Sequence, residues 1–114
     1  MIRTLRLCAD ISGYCLFDLH KGPVEPKSLK LSKDLIAALK DWENLFLANH
    51  VPHLLYWWSP SASISLWEFS EIGEKLRHRL QKELGNNYHI HYTNDAILQK
   101  KFQDMYQTER EAKI

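Results

Sequence analysis

The order of segments constrains this chain more than any single motif does. An apolar, alternating stretch from Ile2 to Ala9 leads into an acidic, aromatic loop from Asp10 to Asp18. Two stretches with helical periodicity follow, at roughly 33–49 and 64–84, and then a second alternating stretch from Tyr88 to Thr93. Parallel neighbouring strands need a crossover between them, usually helical. A strand, two helices and a strand therefore predict an α/β domain whose first and last strands lie parallel and adjacent. The expected build is an α+β two-layer sandwich: a small sheet of two to four strands packed by two or three helices.

The local patterns fill in that outline. Leu5, Leu7 and Ala9 share one face of the first strand, and Thr4, Arg6 and Cys8 the other. Ser12-Gly13 breaks the strand, and Tyr14 to Phe17 is expected to form a short second one. His20-Lys21-Gly22-Pro23 is a turn signal, and Pro23 and Pro26 are expected to keep 22–27 extended and non-helical. Ser32 is a good N-cap with Asp34 in the first turn, followed by the stripe Leu35, Leu39, Trp42 and Phe46. Lys33, Lys40, Asp41 and Glu43 are assigned to the opposite side, and the helix is expected to stop before Pro52.

Ser63 or Ser65 can cap the second helix, with Glu68 three residues after Ser65 as in a capping box. Its stripe is Leu66, Phe69, Gly73, Leu76, Leu80 and Leu84, and Gly85 is a natural stop. A glycine inside a helix costs about 1 kcal/mol relative to alanine. Gly73 therefore predicts close approach to the sheet or to the first helix. In the last strand Tyr88, Ile90 and Tyr92 share one face and His89 and His91 the other. Asn94 can cap a further helix carrying Ile97, Leu98, Phe102, Met105 and Tyr106. The chain reads as one domain, 1–114, with 93–114 a helical C-terminal extension that frays beyond Thr108.

Composition excludes several classes. With 114 residues there is material for one modest core. A hydrophobic share of 45% and a charged share of 25% are ordinary for a globular protein. A net charge of +1 gives no global field toward nucleic acid or an anionic membrane. No apolar run approaches the roughly 18–20 residues needed to cross a bilayer, and Met1-Ile2-Arg3 opens no signal-like apolar stretch. Cys8 and Cys15 fit a reduced, cytoplasmic protein; a bridge between them would join a strand to its loop, and nothing forces one.

Candidate chemistries are thin. His89-x-His91 would project two imidazoles the same way from a strand, but a metal site needs a third ligand, which only folding could bring from Asp10 or His20. Cys15 lacks the glycine-rich elbow or helix start that would activate it. Asp10 and Asp18 sit on an irregular segment, where solvated acids are the default. Arg77, Arg79 and Lys82 share their helix with Glu71, Glu74 and Glu83, a mixed-charge face and not a nucleic-acid surface. No catalytic residue, metal or cofactor is expected. The segment 50–62, with His50, Pro52, His53, Tyr56, Trp57, Trp58 and Pro60, is expected to be an irregular loop. It either folds back over the core or presents aromatics to a partner.

Several stretches together carry a resemblance: Leu7-Cys8-Ala9-Asp10 with Tyr14 to Asp18, Gly22 to Pro26, Leu31 to Ile36 leading to Trp42, and Phe69, Gly73 to Leu76 and Leu80 to Gly85. The pattern resembles a group of small bacterial proteins with an ADxSG-like loop, an LSxxLIxxLxxW helix and an FxxxGxxLxxxLxxELG helix, over roughly residues 5–92. By size, solubility and missing catalytic apparatus the chain is also similar to immunity proteins of contact-dependent growth inhibition and other polymorphic toxin systems. That resemblance implies a non-enzymatic inhibitor that binds a cognate toxin domain, a nuclease for instance, and blocks its active site. The expected partner-binding residues are Asp10, Tyr14, Asp18, Asp41, Glu43, Trp57 and Trp58, with acids imitating phosphates and aromatics filling apolar pockets. The protein would act as a monomer or homodimer without touching nucleic acid or membrane. The alternatives are a non-enzymatic adaptor or homodimeric regulatory domain, and a small metal-binding protein using His89 and His91.

Overall fold

A computed structural model describes residues 2–9, 12–51, 54–59 and 61–92, and for 51 and 54–57 the backbone alone. The main sheet has four strands: β1 (Arg3–Leu7), β2 (Leu16–Asp18), β3 (Gly22–Pro23) and β6 (Tyr88–Tyr92), in the order β3-β2-β1-β6. β1 pairs antiparallel with β2 and parallel with β6, Arg3 opposite Tyr88 through Leu7 opposite Tyr92. The parallel, adjacent placement of the first and last strands is as the segment order required. Between them lie two long helices, α1 (Lys33–Asn49) and α2 (Leu66–Leu84), and a two-stranded ribbon, β4 (His50–Val51) with β5 (Leu54–Trp58).

Both helices start where their caps dictate. Ser32 accepts a hydrogen bond from Leu35 N–H, and Ser65 accepts one from Glu68 N–H. The Glu83 carboxylate accepts from both the backbone N–H (2.7 Å) and the hydroxyl (2.8 Å) of Ser32, tying the end of α2 to the start of α1. Those two bonds hold Glu83 below the usual carboxylate range. Gly85 follows α2 at φ +77°, a left-handed value that glycine adopts without a Cβ penalty.

Two expectations about local structure need correction. Pro26 does not prolong an extended segment; it opens a short 3₁₀ turn, Pro26–Leu29. The first helical position has no use for an N–H, so proline is tolerated there. Nor is the segment 50–62 irregular throughout: His50–Val51 and Leu54–Trp58 are strands. Leu54 to Trp58 is a run of apolar and aromatic residues, types that favour strands, and it returns antiparallel along His50–Val51. Pro52 and Pro60 lie outside the described residues. The expected helix over 94–106 lies outside the described residues.

The core lies between one sheet face and the two helices. Leu5, Leu7, Leu16, Ile90 and Tyr92 from the sheet meet Leu35, Leu39, Trp42, Phe69, Leu76 and Leu80 from the helices, all buried. Trp42 stacks on Phe69 with ring centres 4.7 Å apart, meets Tyr92 edge-on at 5.9 Å, and donates its Nε1–H to the Phe69 carbonyl at 3.0 Å. Gln81 seals the edge of β6 away from β1: its amide oxygen accepts from Ile90 N–H and its NH₂ donates to the Tyr88 carbonyl. A capped edge is less open to pairing with another chain.

Gly73 lies under the sheet. A Cβ built there would stand 2.6 Å from the Tyr92 ring, so the glycine is what lets α2 approach β6. Gly73→Ala should lower stability by about 1–2 kcal/mol, because overpacking typically costs about 1–3 kcal/mol and the helix-propensity gain returns only about 1. Urea unfolding checks this, and adding Tyr92→Leu should recover part of the loss.

Asp18 supplies a second prediction. It is buried, it pairs with Arg3, and its Oδ1 accepts from the backbone N–H of His20 (2.8 Å) and Lys21 (3.1 Å), closing the β2–β3 turn. The Arg3 bond first and the His20 N–H second hold its carboxyl at about 2. With its folded value below its unfolded value, this acid stabilises the fold fully above about pH 4 and ceases to do so as pH falls through about 2. The urea midpoint of the wild type should therefore fall more steeply than that of Asp18→Asn between those limits. Parallel acid limbs in the two proteins would contradict the assignment.

Candidate functional site

The fold divides the expected partner-binding residues into three groups. Asp18 and Glu43 are interior, with 5% and 4% of their surfaces exposed. Tyr14 is half-buried on the loop after β1, and Asp41 is exposed on α1. Asp10 and the side chain of Trp57 lie outside the described residues. Trp58 is half-buried: its ring lies 4.9 Å from Phe69 and 6.4 Å from Phe46, and its Nε1–H donates to the Ile64 carbonyl at 2.7 Å.

Glu43 was assigned by sequence to the solvent side of α1, and its burial overturns that assignment. The signal was present: Glu43 stands four residues after Leu39 and so falls within the apolar stripe. It lies under the loop that follows β1, where a Cβ on Gly13 would meet its Oε1 at 3.8 Å. The same loop carries Cys15, which is buried. Desolvation, then the negative charge of Glu43, pushes the Cys15 thiol up to about 12. A thiol so rarely ionised near neutrality is a packing group and not a nucleophile. Cys8 N–H donates to the Cys15 carbonyl at 3.0 Å, so the two cysteines face each other where the β1–β2 ladder ends.

The β4–β5 ribbon is fastened to the helices through polar bonds. Asn49, buried at the end of α1, donates its side-chain NH₂ to the Leu45 carbonyl and accepts from the Ser63 N–H at 2.9 Å. Its backbone carbonyl accepts from Ser59 N–H at 2.7 Å. His50 stacks on Phe46 at 4.8 Å. Trp58 and His50 thereby belong to the packing of the ribbon on α1 and α2.

The sheet's other face is the remaining surface of chemical interest. Thr4, Arg6, Leu19, His89 and His91 line a shallow cavity of about 350 Å³ there. His89 and His91 do share a face, as the alternation required, but the third group beside them is the Arg6 cation. Among the described residues, no group of three or more His, Cys, Asp or Glu is placed to hold a metal ion. No helix among them is long and apolar enough to cross a membrane.

The division between interior and surface residues is testable. Trp58→Ala should lower stability by roughly 3 kcal/mol, since it removes a large ring packed against Phe69. Asp41→Ala should change stability by less than about 0.5 kcal/mol. Thermal unfolding of both variants checks this; a neutral Trp58→Ala would return that ring to the list of residues free to meet a partner.

Among curated proteins no relative matches. A family model described as Serratia CdiI immunity protein-like matches residues 3–95. The match runs from the first residue of β1 past the end of β6 and takes in the whole sheet, both helices and the ribbon. With more than half of its length so matched, the chain belongs to the Serratia CdiI immunity protein-like family.

Proposed function

We propose that this protein is the immunity partner of a cognate toxin domain, and that it neutralises the toxin by binding and occluding it in the cytoplasm, without chemistry of its own. The carrying observation is the family match across the complete sheet and both helices. The state of the potential reactive groups supports it. Cys15 is buried and its thiol raised to about 12, Asp18 is committed to Arg3 and a turn, and Glu43 is interior.

The same burial bears on how the toxin would be held. Four acids were candidates to imitate phosphates against a nuclease cleft. Asp18 and Glu43 are interior, so of the described acids in that set Asp41 alone is at the surface. The proposal therefore rests on shape and charge complementarity to a protein surface, whatever reaction the toxin performs. The alternative is a homodimeric regulatory domain with no toxin partner.

Co-expression separates the two readings. Cells producing the toxin domain encoded beside this gene should survive when this protein is produced with it, and the two should co-purify as one complex. Lack of protection and of a complex, with a stable homodimer in isolation, would favour the alternative.

A further inference from the structure

Strand register decides which side chains share the sheet face that the described helices leave uncovered. Arg6 lies opposite Phe17 on one side and His91 on the other, and Thr4 lies opposite His89. The alternation that turns Leu5, Leu7, Ile90 and Tyr92 into the core turns these residues away from it. Arg6, His89 and His91 are exposed, and Leu19 beside them is 63% exposed.

The chemistry of the face is that of one permanent cation among hydrogen-bond donors. Arg6 brings a fork of N–H donors with a permanent positive charge, the two imidazoles bring ring N–H donors, and Thr4 brings a hydroxyl. Among the described residues no carboxylate lines the cavity. The outer side of α2 is different: Glu71, Glu74, Lys75, Arg79 and Lys82 mix both signs there, with Arg77 bonded to Glu74 at 3.2 Å. Parallel strand pairs are normally covered on both faces. Here the helices cover one face of the β1–β6 pair, and among the described residues the other face carries the Arg6 cation and the two imidazoles.

We propose that this face is the surface on which the toxin domain docks, and that the toxin segment seated there is acidic. Its carboxylates meet Arg6, His89 and His91, and an apolar neighbour covers Leu19. The inference rests on the immunity reading and deepens it by naming the surface and the charge of the partner. Complementary charge would speed encounter, and paired carboxylates and guanidinium would slow release.

The test measures affinity of the full chain for the toxin domain encoded beside it. Arg6→Glu and the pair His89→Asp with His91→Asp should each weaken binding at least about tenfold, as like charges meet across the interface. Arg79→Glu on the outer side of α2 makes the same change of charge elsewhere and should shift affinity less than about twofold. Arg6→Gln, which removes charge without adding repulsion, should give an intermediate loss, and guards against misfolding in the reversed variants. Wild-type affinity in Arg6→Glu and in the histidine pair would overturn the proposal while leaving the immunity reading in place. A wild-type dimer that Arg6→Glu converts to monomer would assign the face to a second copy and also overturn it. A wild type that binds no toxin at all would instead overturn the immunity reading on which the proposal depends.

Discussion

The parallel pairing of β1 with β6 is the constraint on which the structure depends. It joins the two ends of the described chain through five residue pairs, and everything between them must return to that seam. The seam is held from one side by a close approach of α2. Gly73 leaves room for the Tyr92 ring, Trp42 locks between Phe69 and Tyr92, and Gln81 takes the place of a strand partner on the side of β6 away from β1. These contacts are short-range and geometric, so a single methyl at position 73 reaches the pairing itself.

The acids show how the same residue type is put to different uses. Asp18 closes a turn and holds Arg3, Glu83 ties α2 to the cap of α1, and Glu43 is interior under the loop after β1. Asp41, two positions from Glu43 on the same helix, is in solvent. A carboxylate with backbone N–H partners stabilises a fold, whereas one exposed to water is free to meet another molecule. The face built by Arg6, His89 and His91 is the counterpart of this arrangement, since none of the interior acids lies along it.

Much of the frame was legible before any coordinates. The Ser32 and Ser65 caps, the apolar stripes of both helices, the alternation of both long strands and the meaning of Gly73 all follow from local periodicity and backbone geometry. The site was less legible. Trp58 resembles an interface residue if its segment is irregular; pairing with His50 and packing on Phe69 instead set it half-buried against the core. Glu43 was misplaced because its charge was weighed above its position four residues after Leu39. His89 and His91 share one strand face as their alternation requires, yet their neighbour Arg6 is 83 and 85 positions earlier in the chain and reaches them only through strand register.

By itself the sequence determined the elements, their caps and which face of each strand is apolar, because those properties depend on neighbours one to four residues apart. It determined as well that the first and last strands would lie parallel and side by side, since two helices between them leave room for a crossover. Tertiary structure alone decided the rest. It chose which acids are interior, paired Leu54–Trp58 with His50–Val51 and packed Trp58 toward both helices, and brought Arg6 beside two histidines on one sheet face. Those outcomes depend on pairing and packing between residues far apart in the chain, which no local pattern encodes.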